Sequence, residues 1–80
     1  MPPEFTLLTR AGCSLCANMR AELHALAGGR SYRCHIQDVD AEDSTRETWG
    51  LRVPVLICGR RLVCEGRFDP ARAEQEFGSG

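Results

Sequence analysis

The sequence contains no lysine; all ten of its basic residues are arginine. A chain without a side-chain amine cannot form a Schiff base and has no lysine to set on nucleotide phosphates, so pyridoxal chemistry and Walker-type phosphoryl transfer are excluded. An excess of one charge is missing too. Ten basic residues against eleven acidic leave −1, and neither sign gathers into a run. Nucleic-acid binding and a polybasic membrane role therefore have no electrostatic basis. No apolar stretch approaches the roughly twenty residues of a membrane helix. The opening residues, MPPEFTLLT, lack the basic flank and the long apolar run of a signal peptide. Repeats, linkers and low-complexity tracts are absent as well, and 80 residues suffice for one domain only, expected to span 1–80.

Cysteine, by contrast, is abundant, with five in the chain. In the cytoplasm, the location expected here, reducing pools keep structural disulfides rare, and an odd count leaves at least one thiol unpaired within the chain. A redox or metal role is favoured over a disulfide scaffold.

The order of elements follows from periodicity and punctuation. Phe5 to Thr9 is short and β-rich, and Gly12 ends it. From Ser14 to Ala27, Cys16, Met19, Leu23 and Leu26 recur at helical spacing, and Gly28-Gly29 stops the run. Ser31 to Asp38 alternates, with Tyr32, Cys34 and Ile36 on the side expected to face the core. Asp40 is expected to cap a short helix that ends at Gly50, with Trp49 and Leu51 in the core. Val53 to Cys58 and Arg61 to Cys64 form a hairpin about Gly59-Arg60, a pairing that sets Cys58 opposite Arg61 and Val55 opposite Cys64. Asp69-Pro70 starts a last helix to about Phe77, and Gly78-Ser79-Gly80 is a frayed end. The reading is β-α-β-α-β-β-α: an α/β sandwich of three layers around a four-stranded mixed sheet.

The chemistry-bearing feature is Cys13-Ser14-Leu15-Cys16 at the junction of the first strand's loop and the first helix. Unpaired amides and the positive end of the helix dipole favour a thiolate at Cys13. The two-residue spacer brings Cys16 one turn later, within reach of the first sulfur. A thiol of lowered pKa is a nucleophile near neutral pH and a good leaving group, so Cys13 attacks and Cys16 resolves. Arg10, three residues before Cys13, is the nearest cation in sequence and can stabilise the thiolate or hold an anionic substrate. A zinc site is the rival reading of C-x-x-C, but His24, His35, Cys34, Cys58 and Cys64 form no second ligand pair, and no metal ligands are assigned. Val53-Pro54 heads an apolar strand, where proline marks a strand start, a sheet edge or a cis bond.

Taken together, TRAGCSLC before a helix, then LRVPVL, then GRFDPA resemble the glutaredoxin-like members of the thioredoxin superfamily over nearly the whole chain. The resemblance implies a thioredoxin-like, glutaredoxin-type fold. It also implies a cis Val53-Pro54 peptide opposite Cys13, with the Val53 backbone offered to a substrate peptide or glutathione. Arg10 would match the basic residue that often precedes the family's first cysteine, and Gly66 and the helix start at Asp69 would lie beside the site and receive a substrate carboxylate. The Ser-Leu spacer departs from the usual Pro-Tyr, and Gly66-Arg67-Phe68-Asp69 stands where glutaredoxins carry a Gly-Gly and an Asp pair.

The function expected is that of a small monomeric dithiol-disulfide oxidoreductase acting on protein disulfides or glutathione mixed disulfides. It needs no bound cofactor. Glutathione, as co-substrate, or a thioredoxin-reductase-type flavoprotein would return the electrons. The alternatives are an iron-sulfur or metal-binding module that uses Cys13, and a non-catalytic thioredoxin-fold binding domain.

Overall fold

A computed structural model of the chain describes residues 1–78. Its elements run β1 (Glu4–Thr9), α1 (Ser14–Ala27), β2 (Arg33–Asp38), α2 (Asp43–Trp49), β3 (Val55–Cys58), β4 (Arg61–Glu65) and α3 (Pro70–Gly78). The four strands form one sheet in the order β2-β1-β3-β4. β1 pairs parallel with β2, from Glu4 beside Arg33 to Thr9 beside Asp38, and antiparallel with β3, from Phe5 beside Cys58 to Leu8 beside Val55.

Alternation along β1 divides the core between the two faces of the sheet. Phe5 and Leu7 point to one face, where they meet Leu56, Cys58, Val63 and Cys64 of the hairpin, Met19 and Leu23 of α1, and Ala73 of α3. The rings of Phe5, Tyr32 and Phe77 meet on this side at centroid distances of 5.8 to 6.3 Å. Leu8 points to the opposite face and packs with Val39 and Val55 beneath Trp49. Two helices thus cover one side of the sheet and α2 the other, which makes three layers.

The ends of α1 follow local chemistry. Cys13 is its N-cap in extended conformation, and Gly28 ends it in the left-handed region at φ 58°, where a β-carbon is costly. At α3, Asp69 Oδ1 accepts from the Arg72 amide at 3.2 Å, the side-chain cap that Asp before Pro at the first helical position signals.

Several details depart from the sequence reading. The cap of α2 is Glu42, with no side-chain capping bond, because the carboxylate of Asp40 is drawn to Arg10. Ile36 is 44% exposed and Leu51 is fully exposed. β2 is an outer strand with one neighbour, so its inward side is covered incompletely, and Leu51 lies past the end of α2 in the turn that precedes Val53. In the hairpin, Cys58 faces Arg61, but the register shifts between Leu56 and Ile57, and Cys64 faces Leu56 rather than Val55. This bulge inserts Val63 into β4 without a partner, and Val63 and Cys64 both reach the same core cluster. Residues 31, 32, 53 and 54 lie outside the strands, and Gly78 closes α3. Ser79 and Gly80, the rest of the expected frayed end, are outside the described residues.

Candidate active site

The sheet gathers the candidate residues at one end by register alone. Thr9 ends β1, and Arg10 and Cys13 follow in its loop. Val55 pairs with Leu8 on one side and Glu65 on the other, so Val53-Pro54 and Gly66 project from that same end. Thr9 faces Asp38, which brings Asp40 there too.

Cys13 leaves the loop through Gly12, at φ 77°, and its amide donates to the Arg10 carbonyl at 3.1 Å. Its sulfur accepts from the Cys16 amide at 3.2 Å, so the thiol occupies the position of an N-capping oxygen. No acidic residue stands in the first turn of α1 to oppose a negative charge on the cap. Cys13 is half-exposed and Cys16 is buried. Hydrogen bonding from the Cys16 thiol, then from the Cys16 and Leu15 amides, lowers the Cys13 pKa, and the Arg10 charge assists. The pKa of Cys16 moves the opposite way, raised first by burial and then by its bond to Cys13. One thiol is thus poised to ionise and the other to hold its proton.

Val53-Pro54 is a cis peptide immediately before β3. Pro54 is fully buried, and its carbonyl accepts from the Gly66 amide at 2.8 Å. Gly66, at φ 75°, opens a segment that lines a groove together with Leu15 and Glu22 of α1 and its own neighbours Arg67 and Phe68. The hydrogen bond therefore links the proline turn to the groove flanking the cysteine pair. Asp69 caps α3 and lines a second groove, along β4 with Leu62 and Cys64, that shares Arg67 and Phe68 with the first.

Arg10 is held more tightly than its exposed position in sequence suggests. Nε and Nη2 donate to the two carboxylate oxygens of Asp40 at 2.8 and 2.9 Å, and Nη1 donates to the Gly50 carbonyl at 2.8 Å. The loop before Cys13 is thereby tied to both ends of the α2 segment. Asp40 and Gly50 were not candidates in the sequence; the available signal was an acidic residue just beyond the end of β2, where only a helix cap was expected.

The other sulfurs are placed apart. Cys34 is half-buried against the core, Cys58 and Cys64 are buried, and burial raises all three pKa values. All five cysteines are free thiols. His24 pairs with the Tyr32 hydroxyl at 2.8 Å. Among the described residues no three His, Cys, Asp or Glu side chains converge as a metal-ligand set, and no helix is long and apolar enough to cross a membrane.

A family model described as a glutaredoxin-like domain (DUF836) matches residues 4–77. The chain is 33% identical to the uncharacterized protein Rv0508 of Mycobacterium tuberculosis over 87 aligned positions, which cover 96% of this chain and 90% of that one. Among solved structures it is similar to target protein XcR50 of X. campestris, with TM-score 0.69, 27% identity and coverage of 95% and 97%. It is also similar to protein Ne2328 of Nitrosomonas europaea, with TM-score 0.79, 23% identity and coverage of 99% and 91%. Thioredoxin 1 of Thermosipho africanus shares the fold at TM-score 0.57 and 14% identity, covering 90% of this chain and 91% of that one.

Proposed function

The chain belongs to the glutaredoxin-like domain family, a thioredoxin-fold redox module, and from that premise we propose that it is a dithiol-disulfide oxidoreductase. The observation that carries this reading is the contrast between two cysteines joined by a 3.2 Å hydrogen bond from the Cys16 amide to the Cys13 sulfur: the capping thiol is half-exposed with its pKa lowered, and the Cys16 thiol is buried with its pKa raised. Attack needs a thiolate on the outside, and resolution needs a second thiol within reach that does not compete for the substrate.

In the first step the Cys13 thiolate attacks one sulfur of a substrate disulfide. A Cys13–substrate disulfide forms, the substrate S–S bond breaks, and the other substrate sulfur leaves as a thiolate. Cys16 then loses its proton to solvent or to the departing thiolate and attacks the Cys13 sulfur. The mixed disulfide breaks, the second substrate thiolate leaves, and two electrons have passed from the protein to the substrate. The Val53 backbone, just outside the β3 ladder, supplies an edge for an extended substrate segment, and Pro54 and Gly66 shape the neighbouring wall. Protein disulfides and glutathione mixed disulfides are the substrate classes. Glutathione or a flavoprotein reductase would restore the dithiol of a monomer working in the cytoplasm.

The test is a titration of the purified protein in buffers of defined glutathione ratio, with free thiols trapped by a maleimide and located by mass. A reversible two-electron step confined to Cys13 and Cys16 is expected. No such step, or thiols masked until a chelator is added, would remove this reading and favour a metal-binding one.

A further inference from the structure

A guanidinium has five N–H donors, and three of those on Arg10 are already committed within the fold. Two meet both oxygens of Asp40 in the fork geometry that suits a carboxylate, so the position a substrate carboxylate would take is filled by one from the chain itself. The arrangement is supported from both sides. Asp38 Oδ1 accepts from the Asp40 amide at 2.9 Å, which holds the turn that carries the carboxylate. At Gly50, a β-carbon would lie 2.5 Å from the Arg46 carbonyl oxygen and 3.3 Å from Arg10 Nη2, so only glycine lets the guanidinium settle there unhindered.

A second cation at this end of the sheet is matched in the same way. Arg52, adjacent to Val53, sits 2.5 Å from Glu65 Oε2 and stacks on Trp49. Arg67 lines the neighbouring groove with Glu22 but, among the described residues, forms no ion pair.

We propose that Asp40 is a specificity-determining residue: by occupying Arg10 it withholds that cation from the substrate, so the site favours neutral or cationic disulfides over those with carboxylates near the sulfur atoms. This inference rests on the oxidoreductase reading above. It makes glutathione disulfide a poor substrate relative to uncharged disulfides, and it directs the site toward disulfides in protein segments poor in acidic residues.

The experiment compares the rate constants with which the reduced protein is oxidised by oxidised glutathione, which is anionic, and by bis(2-hydroxyethyl) disulfide, which is neutral. The ratio of the two rates is the readout, so a general loss of activity does not move it. In Arg67→Gln, which removes the unpaired cation of the neighbouring groove, the ratio should change little between low and high salt, because Arg10 and Arg52 are held by Asp40 and Glu65. In Asp40→Asn the ratio should rise by roughly two- to fivefold at low salt, the range of an exposed ion pair, and the gain should vanish at high salt. Adding Arg10→Gln to Asp40→Asn should return the ratio to the wild-type value. An unchanged ratio in Asp40→Asn, a gain that survives loss of Arg10, or a steep fall of the Arg67→Gln ratio with salt would overturn the proposal. The salt series of Arg67→Gln, a change at an exposed side chain, decides the matter even if the Asp40 variants do not fold. If neither disulfide oxidises the reduced protein, the oxidoreductase reading falls and this inference with it, whereas rapid reaction with the neutral disulfide and an unaltered ratio would defeat the inference alone.

Discussion

The amide of Cys16 points at the sulfur of Cys13 from 3.2 Å, so the residue proposed to resolve the mixed disulfide also holds in place the sulfur proposed to attack. The bond does for a thiol what a helix cap does for a serine hydroxyl, and serine is among the best capping residues. Cys13→Ser should therefore fold with a stability within about 1 kcal/mol of wild type while losing all disulfide exchange. Cys16→Ser keeps the attacking thiol and should accumulate a one-to-one mixed disulfide with substrate. Intact-mass measurement after mixing with a disulfide distinguishes the two; equal, partial loss in both variants contradicts the assigned roles.

The opposed shifts at the two thiols predict a separation in pH. Only a thiolate is alkylated at an appreciable rate. Because the Cys13 pKa lies below its ordinary 9.0, its alkylation should reach half-maximal rate below that pH. The Cys16 pKa lies above 9.0, so its half-maximal rate should fall on the alkaline side. Iodoacetamide rates followed site by site by mass, from pH 5 to pH 10, provide the measurement. A common midpoint for both thiols would contradict the asymmetry.

Gly50→Ala should be destabilising although the backbone there is ordinary right-handed helix, at φ −56°. The cost is steric: a β-carbon 2.5 Å from the Arg46 carbonyl oxygen must displace the last turn of α2 and, with it, the carbonyl that Arg10 grips. Overpacking of this kind costs about 1–3 kcal/mol, readable in urea unfolding. An unchanged midpoint would show that this turn yields freely.

At the opposite end of the molecule, Glu76 pairs with Arg61 and accepts from the buried Cys58 thiol, and both interactions lower its pKa below the ordinary 4.5. Between its folded value and 4.5 the unfolded chain binds more protons, so stability rises with pH across that window. The contribution is fully present above about pH 4.5 and lost as pH falls through the folded value. Glu76→Gln should lower stability at pH 7 by up to about 1 kcal/mol, and the deficit against wild type should close on acidification. A deficit that stays constant down to pH 2 would mean that the charge on Glu76 contributes nothing.

Much of this architecture was legible in the sequence because local signals and the global fold agree. The helix from Ser14 to Ala27, the glycine stop, the Asp-Pro start of α3 and the Gly59-Arg60 turn each follow from residue chemistry acting over a few positions. What the sequence concealed depended on contacts between distant segments. The cap expected at Asp40 was overridden by a cation 30 positions away. The exposure of Ile36 and Leu51 depends on which strand is outermost and where α2 ends, neither of which hydropathy reveals. The hairpin pairing was read correctly next to the turn, at Cys58 and Arg61, and went astray beyond it because period-two counting has no place for an inserted residue.

That inserted residue also bears on how the chain can change length. The ladder is regular on either side of Val63, with Leu62 beside Ile57 and Cys64 beside Leu56, so removing Val63 would leave both the turn and the alignment of Glu65 with Val55 in place. The bond from Gly66 to Pro54 depends on that alignment. β4 can therefore lose one residue without the change being felt at the thiols, at the expense of one buried side chain. In most strands of so small a sheet the same deletion would invert every residue beyond it, so relatives that differ by a single position in this hairpin can still share one working site.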